Sequence, residues 1–154
     1  MRLHNALKSV VLWLFGGAVY FLAEVVFKTV TGHAQSVSWT MLILAAIICI
    51  PLDRANEAMG WDTPLWKQAI IGGLCITAVE LGAGIILNCW WSLGIWDYSH
   101  CWGNLWGQIC PKWMLIWCIV AGAGIVIFDW LRWILWPEEE RKPHYILIGR
   151  CTYE

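Results

Sequence analysis

The sequence predicts an all-α polytopic membrane protein, a single domain folded as a bundle of four transmembrane helices. Three observations carry that expectation. Hydrophobic residues make up 60% of the 154 and charged residues only 14%, where a soluble domain carries about a quarter charged. Four apolar runs approach the ruler of about 20 residues that a helix needs to cross the hydrocarbon core. Ten of the 14 Trp gather near the ends of those runs, as Trp does at membrane–water interfaces.

Taken in order, the first run is 7–30, Leu7 to Val30, interrupted by Glu24 and Lys28. The charged start before it resembles a signal n-region, but the run is too long for a cleaved signal and lacks a small-residue cleavage site, so it is expected to stay as the first helix. The second, 37–52, is short and closes at Pro51. A charged loop, Asp53 to Pro64, separates it from the third, 66–91, which contains Glu80. The fourth, 112–136, is opened by Pro111 at a helix-start position and contains Asp129. A loop at 92–110 joins the last two, and a charged tail covers 137–154.

The Lys/Arg bias of short loops sets orientation. Arg2, Lys8, Arg54, Lys67, Arg132, Arg141, Lys142 and Arg150 fall on one side, against Lys28 and Lys112 on the other. Both termini are therefore expected in the cytoplasm and residues 92–110 outside. Trp90, Trp91, Trp96, Trp102, Trp106 and Trp113 then mark the outer boundary; Trp61, Trp66, Trp133 and Trp136 mark the inner one.

Several function classes are excluded at this stage. A net charge of −1 offers no footprint for nucleic acid. The seven Cys form no CxxC and four lie within or at the ends of apolar runs, so neither a metal site nor a cofactor is expected. No Gly-rich phosphate loop is present, so ATP hydrolysis through a P-loop is not expected. Cys101 and Cys110 would face an oxidising exterior, where a disulfide and a pair of free thiols are both compatible with their spacing.

An ionisable residue inside the bilayer is costly and is a functional candidate by default. Glu24 is one; its structural alternative is an i,i+4 ion pair with Lys28. Glu80 is the other, with no basic neighbour at helical spacing. It belongs to a stripe of Gly73, Thr77, Glu80, Gly84 and Asn88. That stripe reads either as a tight packing face, with Gly73, Thr77 and Gly84 making the contact, or as a polar chamber lined by Glu80 and Asn88 under the outer loop. Asp129 and Arg132, three residues apart, read as an interfacial ion pair. In the loop, Trp96-Asp97-Tyr98-Ser99 has the character of a turn or cap, with Asn104 and Gln108 as further polar candidates. No nucleophile-and-base spacing emerges, so an enzyme is not expected; a membrane-embedded enzyme built on Asp97 and the intramembrane carboxylates is the weakest reading.

The combination Gly73-x3-Thr77-x2-Glu80-x3-Gly84, then Trp96-Asp97-Tyr98-Ser99-x4-Asn104-x2-Gly107-Gln108-Ile109-Cys110, then Trp117, resembles the putative ABC-transporter type IV family of small bacterial membrane proteins. The likeness covers about residues 70–120, and Gly16-Gly17 followed by Glu24 resembles that family's first helix. Longer members carry an Arg-Gly and Gly-Pro rich segment after it; Thr31 to Thr40 has neither, so the chain resembles a short variant. The resemblance implies a permease-like component of a transport system working with a separate ATPase subunit, with the Gly stripe available for homo-oligomer formation. The alternative is a non-transporting binding, assembly or sensing module whose Trp-rich outer loop contacts a partner or the lipid bilayer.

Overall fold

A computed structural model describes residues 2–147, with side chains from residue 5 onward. Cys151 and Arg150 lie outside the described residues. The chain is a helical membrane bundle. Helix α1 spans Arg2–Val30, α2 Thr40–Asp53, α3 Ala55–Met59, α4 Leu65–Gly84 and α5 Pro111–Leu135. A single π-helical turn, Ile85–Trp90, prolongs α4.

With that turn included, the first, third and fourth expected helices are 26, 26 and 25 residues long over their apolar parts, enough to cross a membrane. Helix α2 is shorter, with 14 residues. Pro51 sits in its last turn without ending it, because the proline removes one N–H and the helix needs only two further residues to reach Asp53. Pro111 opens α5 at the first helical position, behind an extended Cys110. The expected charged loop after α2 is partly helical: α3 fills it.

Two antiparallel hairpins make the bundle. Helix α1 packs along α2, α4 packs along α5, and α2 touches both members of the second hairpin. The main core joins Leu12 of α1, Cys49 and Leu52 of α2, Ile76 of α4 and Ala121, Ile125 and Phe128 of α5. A smaller cluster of Met41, Leu44 and Ile95 lies under the 92–110 loop. The outward faces remain apolar, with Leu14, Phe15, Leu22, Ile43, Leu74 and Ile119 exposed. Such a surface is stable against lipid, where burying Leu brings no gain.

The expected Asp129–Arg132 pair does not form. At the end of the bundle that holds the α2–α4 turn and the tail, the two residues face different neighbours. Arg132 grips Asp53 through Nε at 2.6 Å and Nη2 at 2.5 Å, and donates to Ser9 Oγ at 2.7 Å and Glu140 at 3.2 Å. Trp13 Nε1 completes the Asp53 carboxylate at 2.9 Å. Asp129 instead accepts from Asn56 at 2.5 Å and Tyr145 at 2.9 Å, and Gln68 links Asn56 to the carbonyl of Thr63. The reason is geometric. A buried ion needs hydrogen bonds on every side, and Asp53, with no exposed surface, presents both its oxygens to Arg132 Nε and Nη2, while Asp129 is taken up by Asn56 and Tyr145.

Candidate functional site: a cleft beneath the 92–110 loop

At the loop end residues of both hairpins line a cleft of about 720 Å³. Its floor is the contact between Tyr20 of α1 and Trp117 of α5, ring centres 6.1 Å apart. Above that floor Phe27 of α1 and Trp113 and Ile116 of α5 are among its walls, and the loop segment Gly94–Tyr98 is among its lining.

Glu80 projects into the cleft from α4. Tyr98 Oη donates to its Oε1 at 2.9 Å and Trp117 Nε1 to its Oε2 at 2.7 Å. Each oxygen thus has one neutral donor, and no Lys or Arg among the described residues pairs with it. Tyr98 is held in turn by stacking on Trp113, 5.6 Å between ring centres. Burial and the neighbouring Glu80 carboxylate push the Tyr98 hydroxyl well above the usual tyrosine range, which keeps it a donor.

Glu24 enters from α1. It does pair with Lys28, Oε1 to Nζ at 2.7 Å. Lys28 uses its other two protons on backbone carbonyls, Ser36 at 2.8 Å and Ile95 at 3.1 Å. The ammonium therefore ties α1 to both connecting loops, and no proton remains for a ligand. Glu24 Oε2 is buried and has no hydrogen-bond partner.

The other sequence-expected residues build the loop. The π-helical turn, a widened turn of the kind found where a helix must re-aim a side chain, brings Asn88 under the loop. There its amide donates to the Trp96 carbonyl (3.0 Å) and to Gln108 Oε1 (2.9 Å) and accepts from Ile95 N (2.8 Å). Trp96 Nε1 reaches the Gln108 carbonyl at 3.1 Å. Asn104 accepts from Gly107 N and donates to the carbonyls of Ser99 and Cys101. Asp97 accepts from Ser99 N at 2.8 Å and Ser99 Oγ at 2.5 Å, the expected turn. Those two bonds, with a smaller contribution from His100, hold the Asp97 carboxyl below its ordinary range. Gly107 has φ +70°, and a side chain there would collide with Ser99 and Asp97. Cys101 and Cys110 are free thiols, and the neighbouring Cys110 raises the Cys101 thiol.

The stripe on α4 divides: Gly73, Thr77 and Gly84 face α5 and the loop, Glu80 lines the cleft, and Asn88 is bonded to the loop rather than placed in the cleft lining. A Cβ on Gly73 would lie 2.7 Å from the Cα of Cys118, so α4 and α5 touch backbone to backbone there. Thr77 turns its hydroxyl back onto the Gly73 carbonyl at 2.8 Å, and Gly84 leaves room for the Gln108 amide. This face is covered by α5 and the loop of the same chain, so it is not the free oligomer interface expected for it.

Sequence reasoning passed over Tyr20, placed Trp113 only at the outer aromatic boundary, and missed the donor role of Trp117. A signal was available: Tyr20 and Glu24 are one turn apart, as are Trp113 and Trp117.

The whole of this constellation falls inside a match to known proteins. The family model described as putative ABC-transporter type IV matches residues 7–139. The chain belongs to that family. It is a multi-pass membrane protein related to membrane transport. The match takes in α1 and α2 as well as the 70–120 stretch that carries the resemblance. No curated protein and no solved structure matches the chain.

Proposed function

We propose that the chain is a permease-like component of a transport system, that it works with a separate ATPase subunit, and that the cleft is its cargo chamber. The observation that carries this reading is the asymmetry of the cleft. It is open beneath the loop, while the opposite end of the bundle is held shut by Arg132, Asp53 and Ser9. A chamber near one face, closed toward the other, is what one state of an alternating-access carrier requires. The Lys/Arg bias supports termini in the cytoplasm and residues 92–110 outside, with spans near 7–30, 37–52, 66–91 and 112–136.

The test is purification of the tagged protein from mild-detergent membranes, with mass spectrometry and particle mass. A stoichiometric nucleotide-binding ATPase is expected. A different partner, or a homo-oligomer alone, would favour the second reading: a non-transporting binding or sensing module. One observation speaks for that reading. Trp102, Trp90 and Trp106 stand 88%, 79% and 68% exposed around the loop, as contact residues would.

A further inference from the structure

We propose that the cleft binds a hydrophobic organic cation, with Glu80 as its counter-charge and Glu24 Oε2 as a second acceptor. This rests on the reading of the cleft as a cargo chamber and names the class of cargo.

Charge is the first argument. Two carboxylates of the lining, Glu80 and Asp97, pair with no Lys or Arg among the described residues. The lining's one ammonium, Lys28, is consumed by Glu24 and two carbonyls, leaving His33 and His100 as the remaining basic groups. A cation entering here meets net negative charge; an anion meets repulsion with no free donor of matching strength. The second argument is the unpartnered oxygen. Glu24 is about nine-tenths buried at its side chain, and its Oε2 has no donor in the protein. A buried carboxylate oxygen left without a donor costs stability, and a ligand carrying positive charge is what it lacks. The third is the walls. Tyr20, Tyr98, Trp113 and Trp117 surround Glu80, and aromatic faces attract cations that have shed their water. A volume of about 720 Å³ lies within the range of small-molecule sites. An inorganic cation fits this lining poorly, because hard cations take six or more oxygens.

The experiment compares three probes of one shape: tetraphenylphosphonium, tetraphenylborate and neutral tetraphenylmethane. Their binding to the full chain in lipid nanodiscs is measured by equilibrium dialysis and corrected for empty discs. Stoichiometric binding of the phosphonium is expected, with the borate at least tenfold weaker. Glu80→Gln is expected to weaken the phosphonium at least tenfold, and Glu24→Gln to weaken it less. Equal binding of all three, or preference for the borate, overturns the cation assignment and leaves the chamber standing. Binding of none overturns both. A tightly retained choline or ethanolamine lipid in native mass spectrometry, excluding the phosphonium, overturns it in favour of a headgroup. The comparison of phosphonium with borate uses the unaltered protein, so it decides even where Glu80→Gln fails to fold.

Discussion

Arg132 and Asp53 show how one buried pair governs an end of the molecule. The guanidinium satisfies both Asp53 oxygens and reaches Ser9 of α1, so three helices meet at one side chain. Arg132→Met should destabilise the protein by about 3–5 kcal/mol, because it leaves a buried carboxylate without its cation. Arg132→Met combined with Asp53→Leu should recover much of that loss, since an apolar pair of similar volume is often tolerated. Thermal unfolding of the purified variants checks both. Asp97 behaves oppositely, since it is exposed and held only by Ser99. Its carboxyl is lowered in the folded loop, so its contribution is present above the ordinary carboxylate pKa and is lost as pH falls through the folded value. Acidification below the usual carboxylate range should loosen the loop, seen as faster amide exchange at Ser99. Asp97→Asn should abolish that acid dependence. Asp97 was legible in the sequence because its partner is two residues away. Asp53 was not, because Arg132 is 79 residues distant and the nearer Asp129 seemed the natural partner.

At the scale of the helix, α4 combines close packing with a functional turn. Gly73→Ala would drive a Cβ into the backbone of Cys118, and should cost about 1–3 kcal/mol as the helices separate. Gly82→Ala on the same helix meets nothing within 4 Å and should be neutral or slightly stabilising; thermal unfolding distinguishes the two. The three long apolar helices and the shorter α2 were readable because length and composition alone define them. The five-residue α3 and the π-helical turn were not. Neither is marked by periodicity: the first is too short to show a face, and the second differs from α4 only by the spacing of one turn.

For the whole molecule, orientation is the property most directly tested. In a variant keeping Cys101 as its sole cysteine, a membrane-impermeant thiol reagent should label intact cells, since Cys101 is partly exposed on the loop. Labelling only after permeabilisation would invert the topology. Cys110 is a poor reporter, being 3% exposed. The division between the two ends of the bundle was half legible. The polar residues beneath the loop stand out against apolar neighbours. The ionic closure at the other end is assembled from residues that looked like ordinary interfacial charges.

The brevity of α2 has a consequence for the surrounding bilayer. Fourteen residues rise about 21 Å, against hydrocarbon about 30 Å thick, and α2 exposes Leu42, Ile43, Ile47 and Ile50 along one side. Trp39 at one end and Arg54 at the other will draw headgroups toward each other along that side alone. The protein should therefore sit in a one-sided dimple, with lipid compressed next to α2 and relaxed beside α5. Hydrophobic mismatch costs fractions of a kcal/mol per Å, so the protein should concentrate where the membrane is already thin.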